Sequence, residues 1–197
     1  MTAIALLRHA PTDWNVSGRI QGRTEHALSD AGRAMALSWR LPAALAGWRV
    51  VTSPLGRARD TARCMGLETA AIEPRLIEMD WGAWAGATLE DLRSAHGAAM
   101  AANEARGLDF RPEGGESPRE VSLRLADWLA EVAGDGVPVV AIAHRGVQRA
   151  ALVLACGWDM TGKPPLRIAR DQALMLQARG REVCLAEPAL LTLETVS

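Results

Sequence analysis

The sequence has few cysteines, no long apolar run and almost no net charge, and each of these shortages argues against a class of protein. The three cysteines, Cys64, Cys156 and Cys184, are odd in number and widely spaced, which argues against a disulfide framework and against paired zinc ligands. No apolar run approaches the ~18 residues that a membrane-spanning helix requires, so we expect no membrane partner. The first residues lack the basic segment and the cleavage site of a signal peptide, which predicts a cytoplasmic protein.

The formal net charge of −1 argues against a protein that holds nucleic acid by bulk electrostatics. The charge is nevertheless uneven along the chain. Residues 1–75 carry ten arginines against six acidic residues, residues 76–136 carry five against twelve, and residues 137–197 carry seven basic residues against five acidic ones. A site for an anion should therefore be built from the two ends of the chain.

The composition that remains, 49% hydrophobic and 23% charged, is typical of a globular protein. A chain of 197 residues can bury roughly 70% of its extended surface, and we expect a single domain over residues 1–197. Continuous apolar runs predict buried strands at Thr2–Leu7, Trp48–Thr52 and Val137–Ala143, and a late hairpin at Gln172–Ala178 and Glu182–Ala186. Helical patterns alternate with the strands, which predicts an α/β fold, a three-layer α/β/α sandwich with a mostly parallel central sheet.

Capping residues predict where three of the helices begin. Ser53 precedes Pro54, which is the pattern of a cap followed by proline at the first helical position. Capping-box spacing marks two further starts, at Thr88 with Asp91 and at Ser117 with Glu120.

Two of the four histidines fall where a parallel sheet places its ligands, at the carboxyl ends of strands and beside helix N-termini. His9 follows the first strand and Arg8 precedes it, while His144 follows the third strand. Arg57 lies in the first turn of the helix after the second strand. Arginines can grip a phosphoryl group without a metal, and a neutral imidazole nitrogen is a nucleophile toward phosphorus. We expect His9 to lie at the surface, with the arginines disfavouring its charged form.

Each of these residues also has a structural interpretation. A histidine at a strand end is often a hydrogen-bonded structural residue, and Arg57 could belong to a solvated helix face. His26 lies in a polar loop and His96 lies beside an apolar helical stripe, so both are expected to be structural. The candidates to face a substrate are Trp14, Arg19, Arg23, Trp81, Trp84 and the loop Glu104–Arg111. The tryptophans could equally belong to the core.

Short motifs in a fixed order then connect the chain to a known family. They are Leu6–Asn15, Gly18–Gly22, Leu28–Gly32, Thr52–Ala62, Leu76–Gly86, Gly114–Ser117 and Ala143–Val147. These segments resemble the signature of the histidine phosphatase superfamily, in the phosphoglycerate mutase-like branch that includes α-ribazole phosphatase and related phosphatases. Their shared order over most of the chain argues against a chance match.

The resemblance implies a role for each matching residue. His9 would accept the phosphoryl group, which Arg8, Arg57 and His144 would grip, and Glu78 would donate a proton to the leaving group. The residues expected to complete the phosphate site are Asn15, Gln21, Gly22, Arg145 and Gly146. Two positions depart from the family pattern, since Ala10 and Arg145 stand where glycine is common, but neither removes a reacting group.

Other phosphate chemistries are less consistent with the sequence. Gly157–Lys163 has the spacing of a P-loop, but Pro164 stands where a magnesium-binding hydroxyl is needed. A cysteine phosphatase needs an arginine at a fixed spacing after its cysteine, and those positions hold Ala70, Gly162 and Leu190. A metal phosphatase needs clustered carboxylates and histidines, and the sequence has neither H-x-x-x-H nor D-x-D spacing.

The sequence therefore predicts a phosphatase that hydrolyses a small phosphate monoester and needs neither a metal nor a cofactor. A phosphoglycerate mutase is the alternative, and it is disfavoured because family mutases carry a longer basic insertion where Met79–Gly115 is short and acidic. A phosphate-binding module that has lost catalysis is a further alternative. A homodimer is an assembly that the sequence allows.

Overall fold

Strand β1, Thr2–Arg8, lies inside a six-stranded sheet in the computed structural model, which describes residues 1–196. Four consecutive β1 residues are buried, which is the pattern of a strand covered on both faces. Its parallel neighbour is β5, Val139–Ala143, which pairs in parallel with β3, Arg49–Thr52. The last residue of the predicted domain, Ser197, lies outside the described residues.

The sheet has the strand order β4-β3-β5-β1-β6-β7. Strand β4, Ala71–Ile72, pairs in parallel with β3, while β6, Gln172–Arg179, and β7, Glu182–Thr192, form the predicted antiparallel hairpin beyond β1. A separate two-stranded sheet joins β2, Trp39–Arg40, to β8, Glu194–Thr195. Four parallel strands with an antiparallel hairpin at one side confirm the prediction of a mostly parallel sheet.

Helices cover both faces of this sheet. The helices are α1 (Asp13–Val16), α2 (Asp30–Ser38), α3 (Gly56–Cys64), α4 (Leu89–Glu104), α5 (Pro118–Asp135) and α6 (Arg145–Cys156). One buried cluster joins α5 and α6 to the sheet, and a second joins α2 and α3 to it. The predicted three-layer α/β/α sandwich is therefore confirmed. Within residues 1–196 no helix combines the length and the apolar character needed to cross a membrane.

The helix caps show where local sequence decides a boundary and where it does not. Both predicted capping boxes are present, at the start of α4 and at the start of α5. The predicted start at Ser53 is wrong, because α3 begins at Gly56 after Leu55, which makes no side-chain cap hydrogen bond. The Ser53 hydroxyl instead lies 2.7 Å from Nε2 of His144, a contact that β3 and β5 create by pairing.

The register of the parallel strands gathers the residues that follow them. Arg8 pairs with Ala143 at the ends of β1 and β5, so His9 and His144 both follow at this edge. The His9 amide extends the ladder by donating to the Ala143 carbonyl at 3.0 Å, and the Ser53 amide donates to the Ile142 carbonyl at 2.9 Å. Three strand ends thus meet at one edge of the sheet.

Candidate active site

A cavity of about 710 Å³ opens at this edge of the sheet. Nine of the ten predicted site residues line it, namely Arg8, His9, Asn15, Gln21, Gly22, Arg57, Glu78, Arg145 and Gly146. The tenth, His144, is fully buried, and its ring centroid lies 5.2 Å from that of His9. Residues from widely separated parts of the chain are therefore gathered around one space.

The hydrogen bonds of His9 determine which of its ring nitrogens is free. Nδ1 lies 2.7 Å from the carbonyl oxygen of Ala10. A carbonyl can only accept, so Nδ1 carries the ring proton and Nε2 keeps its lone pair. Nε2 is therefore the nitrogen available to a molecule bound in the cavity.

The His9 side chain is buried, which corrects the expectation of a surface residue. The residue is 2% exposed, because the loops around the cavity cover this edge of the sheet. Arg170 belongs to one of these loops, and its Nη1 donates to the His9 carbonyl at 3.1 Å. Burial, followed by the neighbouring Arg57 and Arg8 guanidinium groups, lowers the pKa of His9 well below its ordinary value. The ring is neutral at neutral pH, as a nucleophile must be.

Arg57 is a buried cation rather than part of a solvated helix face. It is 1% exposed, and its guanidinium donates to the Thr24 carbonyl at 2.9 Å and to the Gly22 carbonyl at 2.7 Å. Burial lowers the pKa of Arg57, and burial together with nearby Arg170 lowers the pKa of Arg8 to about 9. Both guanidinium groups retain a buried Nε that has no hydrogen-bond partner within residues 1–196. Each guanidinium group therefore keeps an unused donor beside the cavity.

His144 lies near the guanidinium groups of Arg57 and Arg8. Its Nε2 contacts the Ser53 hydroxyl, and its Nδ1 is buried without a hydrogen-bond partner in the described chain. Burial, and then the proximity of His9 and Arg57, lowers the pKa of His144 well below its ordinary value. The second histidine is therefore also neutral at neutral pH.

Glu78 reaches the site from the segment that follows a 3₁₀ turn at Pro74–Leu76. Its carboxylate accepts hydrogen bonds from the Met79 amide at 2.9 Å and from the Gly146 amide at 3.3 Å. A Cβ atom at position 146 would clash with Oε1 of Glu78. The glycine is thus required for the carboxylate to approach the N-terminus of α6 this closely.

The remaining predicted residues form the wall beside Arg57. Asn15 accepts a hydrogen bond from the Thr12 amide at 3.2 Å, and Gln21 donates to the Thr12 hydroxyl at 2.7 Å. The Gly22 carbonyl holds the Arg57 guanidinium. These contacts fix the loop after β1, and with it the shape of the cavity.

Several cavity residues were not singled out by their sequence motifs. They are Arg93, Arg149 and Arg170. The candidates that line the cavity with them are Trp14, Arg19, Trp81 and, from the loop Glu104–Arg111, Glu104, Gly107 and Phe110. Arg23 and Trp84 are absent from the lining, and Arg23 instead pairs with Glu116 at 3.2 Å. The basic excess of residues 137–197 pointed to this part of the chain, but no local pattern distinguished Arg149 or Arg170.

The fold and this site together define a class of α/β enzyme that acts on phosphate esters with histidines and arginines in its active site. The sequence matches the histidine phosphatase superfamily (branch 1) over residues 4–182. The chain belongs to that superfamily, which confirms the resemblance seen in its motifs.

Proteins similar in sequence to this chain include both phosphatases and a mutase. A glucosyl-3-phosphoglycerate phosphatase of Mycobacterium tuberculosis (strain CDC 1551 / Oshkosh) is 34% identical over 162 residues, which cover 73% of this chain and 70% of the relative. A metal-independent phosphoserine phosphatase of Arabidopsis thaliana is 34% identical over 173 residues, covering 83% and 72%. A 2,3-bisphosphoglycerate-dependent phosphoglycerate mutase 2 of Gloeobacter violaceus is 32% identical over 143 residues, covering 66% and 63%.

Solved structures of the family agree with the fold. A mycobacterial glucosyl-3-phosphoglycerate phosphatase in complex with VO3 superposes with a TM-score of 0.72 at 28% identity, over 90% of this chain and 93% of that one. The predicted enzyme class, a phosphoric monoester hydrolase of the histidine phosphatase type, is supported by the family and by these phosphatases.

Proposed function

We propose that the protein is a metal-independent phosphatase that hydrolyses a small phosphate monoester through a phosphohistidine on His9. The observation that carries the proposal is the bond from Nδ1 of His9 to the Ala10 carbonyl. It leaves an unprotonated Nε2 beside a cavity lined by seven arginines, which attract a phosphate dianion.

In the first half-reaction Nε2 of His9 attacks the phosphorus atom. A P–N bond forms while the P–O bond to the leaving group breaks. Arg8 and Arg57 hold the phosphoryl oxygens, and Nδ1 of His144 is available to a third. Because these groups are buried and already positioned, they stabilise the transition-state charge with little reorganisation.

Glu78 supplies the proton that the departing alkoxide needs. In the second half-reaction its carboxylate takes a proton from water, which attacks phosphorus and breaks the P–N bond, so that phosphate leaves and His9 is neutral again. Asn15, Gln21, Gly22, Arg145 and Gly146 complete the wall that holds the phosphate.

The first test removes the nucleophile. His9→Gln should lower the turnover of p-nitrophenyl phosphate by about 10³-fold or more, because no P–N bond can form. Glutamine is preferred to alanine because the buried ring would otherwise leave a cavity. Steady-state kinetics on variants with unchanged circular dichroism measure the effect, and His96→Gln, at an exposed histidine of α4, is the matched control. A variant retaining more than a few per cent of wild-type turnover would contradict the mechanism, whereas a wild type without turnover would favour the binding module.

The second test asks whether hydrolysis needs a metal ion. Dialysis against EDTA should leave the rate unchanged, because the arginines provide the positive charge that a metal would otherwise supply. Rates before dialysis, after it and after addition of individual divalent ions are compared. A loss of rate that one metal restores would overturn the metal-independent site.

The third test separates the phosphatase from the mutase alternative. Incubation with 3-phosphoglycerate and 2,3-bisphosphoglycerate should release inorganic phosphate and form no 2-phosphoglycerate, because the acidic segment Met79–Gly115 is too short to carry the basic insertion expected of family mutases. Phosphorus NMR distinguishes the products. Interconversion faster than phosphate release would identify a mutase.

A further inference from the structure

A second cavity of about 210 Å³ lies beside the active site, against α6 and the segment that precedes β6. Its charged lining consists of Arg8, Arg145, Arg149, Arg167 and Arg170, and within residues 1–196 no acidic side chain contributes to that lining. All of these except Arg167 also line the active-site cavity. Arg8, Arg145, Arg149 and Arg170 therefore face both spaces, and Arg167 faces the second cavity alone. These five side chains are here called the arginine wall.

The charge of the arginine wall is not neutralised by neighbouring carboxylates. Among the described residues, none of its five arginines takes part in an ion pair. Arg8 and Arg149 each keep a buried Nε without a hydrogen-bond partner in the same part of the chain. Arg149 is also fixed in place, since its guanidinium lies 5.1 Å from the ring centroid of Trp158.

Four members of the wall, Arg8, Arg145, Arg149 and Arg170, repel one another. Burial is the largest cause that lowers the pKa of Arg149 and of Arg170, and the positive charge of Arg145 is the next. Burial likewise lowers the pKa of Arg8 most, followed by the positive charge of Arg170. Glu78 opposes this at Arg8 and Arg149, but its carboxylate is held in the active site by backbone amides. An oxyanion bound at the wall would relieve the repulsion.

A single phosphoryl group does not use all of these cations. In the proposed mechanism, Arg8 and Arg57 hold the transferred group and Arg145 completes its site. Arg149, Arg167 and Arg170 are left without an anion. Guanidinium groups bind carboxylates and phosphates through paired hydrogen bonds, so the unused cations fit a second oxyanion. Because most of the wall faces the active-site cavity, one substrate molecule can reach both sites.

We propose that Arg149, Arg167 and Arg170 of the arginine wall bind a second anionic group of the substrate, a carboxylate or a second phosphate, beside the phosphoryl group that His9 accepts. This inference rests on the proposed function and narrows it to phosphate monoesters that carry another oxyanion. Arg149 and Arg167 are then specificity-determining residues, which touch the part of the substrate that does not react.

A matched series of three-carbon esters tests this substrate class. Glycerol 3-phosphate has no second anion, 3-phosphoglycerate adds a carboxylate, and glycerol 1,3-bisphosphate adds a phosphate. We expect kcat/KM for at least one of the two doubly anionic esters to exceed that for glycerol 3-phosphate by about 10-fold or more, as a charged hydrogen bond warrants. The comparison of the two shows whether the wall prefers a carboxylate or a phosphate.

Removing two members of the wall should abolish that preference. In the double variant Arg149→Gln with Arg167→Gln, the ratio of kcat/KM values should fall to near one, because the loss on the doubly anionic esters exceeds the loss on glycerol 3-phosphate by about 10-fold or more. Arg33→Gln, at an exposed arginine of α2 outside both cavities, should keep the wild-type ratio.

Two results would overturn the second anion site while leaving the phosphatase intact. They are equal kcat/KM values for all three esters in the wild type, or a preference that survives in the double variant. Absence of hydrolysis of every ester would contradict the proposed function instead. In that case, calorimetry measures the binding of the three esters and tests the second anion site separately. Equal Kd values would overturn the site. Tighter binding of a doubly anionic ester, lost in the double variant, would support it.

Discussion

At the scale of the residue, the proposed acid is the group whose role can be isolated most sharply. Two backbone amides hold the Glu78 carboxylate, one from Met79 and one from Gly146. A glutamine has a similar shape but cannot release a proton at neutral pH. Replacing the residue by its amide therefore removes the chemistry and keeps most of the shape.

Glu78→Gln should slow the hydrolysis of an alkyl phosphate by about 10²–10⁴-fold, because an alkoxide leaves poorly unless it is protonated. The same variant should largely spare p-nitrophenyl phosphate, whose phenolate leaves without a proton. Both rates are measured on one protein preparation, so folding and phosphate binding affect them equally. Equal losses on the two esters would show that Glu78 positions phosphate or supports the fold.

At the scale of the element, the N-terminus of α6 is where the acid and the helix meet. His144 caps this helix without a side-chain hydrogen bond, and the Gly146 amide in its first turn donates to Glu78. The close approach depends on the absence of a side chain at position 146. The N-terminus of α6 thus positions the Glu78 carboxylate.

Gly146→Ala should reduce activity on an alkyl phosphate by about 10-fold or more, because the new methyl group displaces Glu78, the proposed proton donor, from its position. Stability should change by less than about 1 kcal/mol, because the closest clash is with the end of the flexible Glu78 side chain and alanine is the better helix former. The Met79 Cβ, at 3.3 Å from the new Cβ, has to give only slightly. Gly134→Ala on α5, where a Cβ would meet nothing within 4 Å, is the control and should keep full activity. Thermal unfolding and kinetics on both variants measure the two effects, and unchanged activity of Gly146→Ala would contradict this role.

The element scale also shows the limit of capping rules. Ser117 and Thr88 cap their helices as predicted, because each hydroxyl lies within its own turn and needs no distant partner. Ser53 has the same local pattern, but its hydroxyl contacts both the Leu55 amide and the His144 ring. The partner from the end of β5 comes from strand pairing, which local sequence does not reveal.

At the scale of the whole molecule, the buried histidines link the site to stability. The folded protein holds His9 and His144 neutral, and the pKa of each lies well below its ordinary value of about 6.5 in the unfolded chain. Between those two values the unfolded chain binds more protons than the folded one. Their contribution to stability is therefore fully present above about pH 6.5 and is lost as the pH falls below it.

We expect the free energy of unfolding, measured with urea, to fall between pH 7.5 and pH 5. In His9→Gln or His144→Gln the fall should be smaller by up to about 2 kcal/mol, at about 1.4 kcal/mol per pH unit for one histidine. His96→Gln removes an exposed histidine and should keep the wild-type slope. Identical slopes in all four proteins would show that the buried histidines do not control acid stability.

Local sequence was sufficient to predict the family, the layered α/β fold and which residues gather around one cavity. Strand-ending patterns such as Arg8–His9 are local, and apolar runs report burial on both faces of a parallel sheet directly. Ligands gather at the carboxyl ends of such strands, so the positions of His9, Arg57 and His144 along the chain already predict that they lie close together.

The depth of the site and its excess of positive charge depend on long-range packing. His9 is covered by loops from distant parts of the chain, so its burial has no local signal. Arg149 and Arg170 have ordinary sequence surroundings, and they reach the cavity because α6 and the segment before β6 pack beside β1. Periodicity reports which face of an element is buried, but the identity of the neighbours across that face depends on how the chain folds.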